Sequence, residues 1–133
     1  MDIVKVTLQT NKLDEMKNFY GNILGLVVEN DSFDSFEVKF GSSTVEFNNR
    51  NIKDEPYYHF AFDIPSNQFL EAKEWTQKRV PLSTEEGEDE VYFTNIDANS
   101  IYFEDPSGNI VEFISRLQDN PPSNIPFSKS SFI

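Results

Sequence analysis

Tyr57-Tyr58-His59-Phe60-Ala61-Phe62-Asp63 alternates as a β-strand does, and it carries the chain's single histidine. Successive strand side chains point to opposite faces, which puts Tyr58, Phe60 and Phe62 on an apolar face and Tyr57, His59, Ala61 and Asp63 on a mixed one. The stretch also has a counterpart near the start of the chain. Ile3 to Gln9 alternates in the same way, with Val4, Val6 and Leu8 against Lys5, Thr7 and Gln9, and His59 follows Lys5 by 54 positions.

What comes after each strand repeats too. Behind the first, Leu13, Met16, Phe19, Tyr20 and Ile23 form an apolar stripe at helical spacing, with Asn11 as N-cap, Asp14 and Glu15 in the first turn and Gly25 near the end. Extended segments over 26–29, 36–40 and 44–48 follow, the last two joined by Gly41-Ser42-Ser43. Behind the second, Ser66 is the expected cap of a helix reaching about Arg79, with Phe69, Ala72, Trp75 and Thr76 on one face. Strands over 91–95, 100–104 and 110–115 come next, the last two joined by the turn-forming Asp105-Pro106-Ser107-Gly108-Asn109. Phe69 follows Leu13 by 56 positions, so the two halves run in the same order at nearly the same spacing. The pattern predicts an α+β domain over about 1–116, built from two βαβββ modules at about 1–50 and 56–116. Residues 117–133 lack periodicity and include Pro121, Pro122 and Pro126, as an extended tail or arm would; Phe132 and Ile133 could pack back on the domain, embrace a partner or lead into further chain.

With 133 residues the chain suffices for one domain. It has no cysteine, which excludes disulfides, thiolate metal sites and cysteine nucleophiles and fits the reducing cytoplasm. The net charge of −12 and the absence of a Lys/Arg cluster argue against nucleic acid, and no apolar run is long enough to span a membrane. Glu85-Glu86-Gly87-Glu88-Asp89-Glu90 reads as a solvated loop. There is no phosphate-binding glycine loop, no nucleophile elbow and no histidine pair at helical spacing. Thirteen phenylalanines and five tyrosines supply walls for a core or an apolar cavity, with Phe33, Phe36, Phe40, Tyr57, Tyr92 and Tyr102 as candidate walls. Alternation also places one ionisable group on the cavity-compatible side of each of four strands: Lys5, Glu46, His59 and Glu112.

Three stretches together resemble the vicinal oxygen chelate superfamily, which includes glyoxalase I, fosfomycin and bleomycin resistance proteins and extradiol dioxygenases. They are Lys5-Val6-Thr7-Leu8 with Leu13, Phe19-Tyr20 and Ile23-Leu24-Gly25-Leu26; His59-Phe60-Ala61-Phe62-Asp63-Ile64; and Tyr102 to Phe113. The resemblance implies two modules whose sheets curl around a cavity, a small molecule bound there, and a homodimer in which modules pair within one chain or between two. It further implies a divalent metal (Zn, Ni, Mn or Fe) held by His59, Glu112 and Glu46, with Glu112 or Glu46 shuttling a proton, and Lys5, Thr7, Tyr57 and Tyr102 near the ligand. Lys5 departs from the family pattern. It stands where metal-binding members carry a histidine or glutamine, and an ammonium has three donors and no lone pair to give a metal. The residues therefore favour a metal-free binding protein in which Lys5 forms a buried ion pair with Glu46 and Glu112. The alternative is a metal-dependent lyase, isomerase, transferase or dioxygenase.

Overall fold

The computed structural model describes residues 5–52, 54 and 56–133, so Ile3 and Val4 of the expected first strand lie outside the described residues. The order is β1 (Lys5–Gln9), α1 (Leu13–Asn18), a π-helical turn (Phe19–Ile23), β2 (Val28–Glu29), β3 (Ser35–Phe40), β4 (Ser43–Asn48), β5 (His59–Asp63), α2 (Phe69–Gln77), β6 (Val91–Phe93), β7 (Ala98–Glu104) and β8 (Ile110–Arg116). These form two four-stranded mixed sheets, β1-β4-β3-β2 and β5-β8-β7-β6, each with one parallel pair, β1 with β4 and β5 with β8. Two like-built βαβββ modules are therefore present.

Register assigns the faces. In the first sheet Val6, Leu8, Val45, Phe47, Phe36, Val38 and Phe40 fall on one side, and Lys5, Thr7, Glu46, Glu37 and Lys39 on the other. In the second, Phe60, Phe62, Val111, Phe113, Ile101 and Phe103 oppose His59, Ala61, Glu112, Tyr102 and Ser100. The two apolar faces share one interior with Met16 and Tyr20 of the first helical segment and Phe69 and Ala72 of α2. Phe40 stacks on Phe62 at 3.8 Å between ring centroids and 10° between planes, joining module to module. Full burial of such a ring stabilises by roughly 1.5–3 kcal/mol, enough to hold the modules together through a few of them. Phe36 and Phe40 are thus core residues rather than cavity walls, because both fall on the apolar side of β3 and are fully buried.

Polar contacts tie the modules as well. The Tyr20 hydroxyl donates to Asp105 Oδ2 at 2.7 Å, Tyr58 accepts the backbone N–H of Gln9, and the Thr10 and Ser107 hydroxyls bond each other. Burial pushes the Asp105 carboxyl up, against the hydrogen bonds from Tyr20, Asn109 and Ser107 that favour its charged form. It raises the Tyr20 phenol well above its ordinary value, with the Asp105 charge adding to the effect.

Several element ends differ from the sequence expectation. Lys12, not Asn11, precedes α1, and Gln68, not Ser66, precedes α2, with no side-chain cap at either position. The first helix widens after Asn18, where Leu24 N–H reaches back to Phe19 C=O, and this turn places Phe19 and Tyr20 in the core. β6 stops at Phe93 and β7 starts earlier, at Ala98, around a turn in which Asp97 adopts a left-handed backbone (φ 49°).

Residues 117–133 return to the domain. Asn120 Nδ2 donates to the Ile64 and Ile114 carbonyls, Asn67 and Ser123 bond reciprocally, and Phe132 is buried.

Candidate functional site

The polar face of the second sheet carries a connected group. Glu112 is 8% exposed, and each of its carboxylate oxygens is occupied: Oε1 lies 3.0 Å from His59 Nε2, and Oε2 accepts from the Ser100 hydroxyl at 2.7 Å. A carboxylate only accepts, so this contact takes a hydrogen on the His59 Nε2. The strand register creates this arrangement, since β8 places Glu112 beside Ala61 and Tyr102, with His59 and Ser100 on the same face. His59 itself is half-exposed, and its ring meets the edge of Tyr102 at 6.0 Å. Burial, and then the neighbouring Glu112, raise the Tyr102 phenol, keeping it a donor.

This group opens into a cavity of about 270 Å³ lined by His59, Tyr102, Val91, Ile110 and the loop residues Ser83 and Glu85. The acidic run does form an exposed turn, with Glu85 and Glu88 exchanging backbone hydrogen bonds, but it also walls this cavity. Lys73 of α2 holds it through Asp89 at 2.7 Å and Glu90 at 3.6 Å.

The polar face of the first sheet carries a separate chain of ion pairs. Lys5 Nζ lies 3.1 Å from Glu37 and 3.4 Å from Glu46, while Arg50 lies 3.7 Å from Glu46 and 2.8 Å from Asp34. The Glu37 carboxylate, hydrogen-bonded to the Lys5 ammonium, holds the lysine pKa up, and the same bond holds Glu37 low. Thr7 stands beside Glu46 in register, and Gln9 donates to the Arg50 carbonyl.

Of the residues expected at the site, the structure brings together His59, Glu112 and Tyr102, and separately Lys5, Glu46 and Thr7. Tyr57 is exposed ahead of β5, as is Phe33 at its turn before β3. The described contacts of Lys5 are with Glu37 and Glu46, and its side chain is 51% exposed, so the expected buried pair spanning Glu46 and Glu112 gives way to a half-exposed pair on one sheet. The residues missed by the sequence reading are Ser100, Glu37 and Arg50. Alternation along β3 and β7 places Glu37 and Ser100 on the polar faces, but nothing local ties either to a distant carboxylate.

The donor set does not fit a metal within one chain. Among the described residues no group of three or more His, Asp or Glu is arranged to hold a metal ion. Glu112 is engaged by His59 and Ser100, and Glu46 lies between two cations.

No protein-family model matches the chain, and no curated protein matches it by sequence. Solved structures do. A glyoxalase/bleomycin resistance protein/dioxygenase from Nocardioides is 17% identical and superposes with a TM-score of 0.69 over 94% of this chain and 89% of its own. A lactoylglutathione lyase from Agrobacterium tumefaciens is 22% identical, with a TM-score of 0.65 over 84% of this chain and 91% of its own. A bleomycin-binding protein complexed with bleomycin is 15% identical, with a TM-score of 0.66 over 86% of this chain and 98% of its own. The paired sheets, their order and these likenesses agree: the chain has the two-module fold of the glyoxalase, bleomycin resistance and dioxygenase proteins.

Proposed function

We propose that the protein binds a small organic molecule in the cavity beside His59 and does so without a metal. The observation that carries this reading is the position of the Lys5 ammonium. It lies against Glu37 and Glu46, where the superfamily pattern would need a lone-pair donor, while Glu112 is held by His59 and Ser100. The cavity offers aromatic and aliphatic walls from Tyr102, Val91 and Ile110 with a few fixed polar groups, the usual make-up of a ligand site. The bleomycin-binding protein, a structural likeness only, is consistent with such a role.

A homodimer belongs to this reading. The apolar faces of the two sheets are spent on each other, so both polar faces look outward, and no described contact joins Lys5 or Glu46 to His59 or Glu112. A second copy would close each cavity by setting the first module of one chain against the second module of the other. The alternative, a metal-dependent lyase, isomerase, transferase or dioxygenase, draws on one observation: His59 and Glu112 already stand 3.0 Å apart on one face, and a second copy would bring Glu46 to them.

The test is a thermal-shift screen of aromatic and amphipathic small molecules, with and without added zinc, nickel, manganese or ferrous ion, alongside sedimentation to count chains. Binding to the native state raises the melting temperature by mass action. Hits that need no metal and disappear in Tyr102→Ala support the proposal, as does a dimer; hits that require a divalent ion favour the metalloenzyme.

A further inference from the structure

We propose that residues 120–133 form a strap that locks the two modules in their mutual placement, and that the lock is set by Phe132. The strap leaves the end of β8, runs along the loop ahead of α2 and crosses to the other module. Its path is fixed at each stage: the Pro121 carbonyl accepts from Ser66 N–H, Ser123 is held by the Asn67 amide, and the Ile125 carbonyl accepts from Gln68 Nε2 at 2.6 Å. At its far end Ile133 N–H donates to the Asp63 carbonyl of β5 at 2.9 Å.

Phe132 is 3% exposed and sits among rings from both modules. Phe113 of β8 lies 4.7 Å away, Phe40 of β3 5.5 Å, Trp75 of α2 6.0 Å and Phe62 of β5 6.2 Å. It thus packs against the same Phe40 and Phe62 whose stacking joins the sheets. Module 1 is shaped to receive it: Gly41 adopts φ 60°, and a methyl group there would run into the backbone carbonyl of Phe132. Ile133 then reaches a cavity of about 250 Å³ between the edge of β1 and the edge of β5, lined also by Val6, Leu8, Val45 and Phe60. The periodic fold is complete at Arg116, so ordered aromatic packing past it, onto a seam between modules, has the form of a clasp rather than of another core layer.

The test is hydrogen exchange on the full chain. Phe132→Ala should speed exchange by about tenfold or more at the β3–β4 turn and in β5, the segments beneath the strap, through local opening. In β7 it should change exchange no more than Leu24→Ala does, Leu24 being a fully buried module 1 residue; comparison is made at temperatures giving both variants equal stability. Gly41→Ala should reproduce the Phe132→Ala pattern from the other side. If Phe132→Ala does not fold, Phe132→Leu serves in its place. Faster exchange everywhere, in the pattern of Leu24→Ala, or no change at the seam, overturns the proposal. Neither result bears on the ligand reading, since the exchange experiment uses no ligand.

Discussion

Ser100 contributes one hydroxyl to the site, yet removing it takes a hydrogen-bond donor from the buried Glu112 carboxylate. Ser100→Ala should therefore destabilise the fold by about 1–3 kcal/mol in urea titration, whereas the half-exposed His59 should cost less on truncation to alanine. Tyr20 supplies the pH-dependent counterpart. Its folded-state pKa is raised, so the neutral phenol is favoured by folding, and that contribution is complete below the unfolded value near 10. As pH rises past that value the unfolded chain loses the proton first, and stability must fall. Melting temperatures followed from neutral to strongly alkaline pH should drop steeply in the parent and less steeply in Tyr20→Phe, which starts lower because Asp105 has lost a donor. Equal slopes would remove Tyr20 from the account.

At the scale of elements, two glycines test how much their neighbours matter. Gly25 (φ 75°) follows the π-helical turn with open space where an added methyl group would stand, so Gly25→Ala should cost only the left-handed backbone penalty, about 1–2 kcal/mol. Gly41→Ala carries the same penalty and the collision with Phe132, and its chemical-denaturation midpoint should fall further than that of Gly25→Ala. The elements themselves are largely legible in sequence. Alternation of Val6 and Leu8 with Lys5 and Thr7, and of Phe60 and Phe62 with His59, fixes the faces, because a strand has only two. The cap residues are not legible, since the hydroxyl of Thr10 bonds the Lys12 N–H ahead of α1, while α2 starts two residues later than a Ser66 cap would set it, with Gln68 at the cap position.

For the whole molecule, the duplication at 54-residue spacing predicts two modules, and two four-stranded sheets are what the structure contains. How the modules pack is not legible. Four ionisable residues on the polar sides of four strands suggest one constellation, but the apolar faces carry Phe40, Phe47, Phe62 and Phe113, and burying those against each other turns the two polar faces outward. Lys5 consequently meets Glu37 from its own sheet rather than Glu112 from the other. The strap is equally hidden, because 120–133 has no period and its fit depends on a space formed by both modules.

The claim that the site works without a metal is open to one direct measurement: elemental analysis of protein purified without chelator, repeated on His59→Ala. The Lys5 ammonium beside Glu46, and a Glu112 already held by His59 and Ser100, predict no stoichiometric metal in either protein. About one zinc, nickel, manganese or iron per chain in the parent, lost in His59→Ala, would contradict the account and make the site a metal centre.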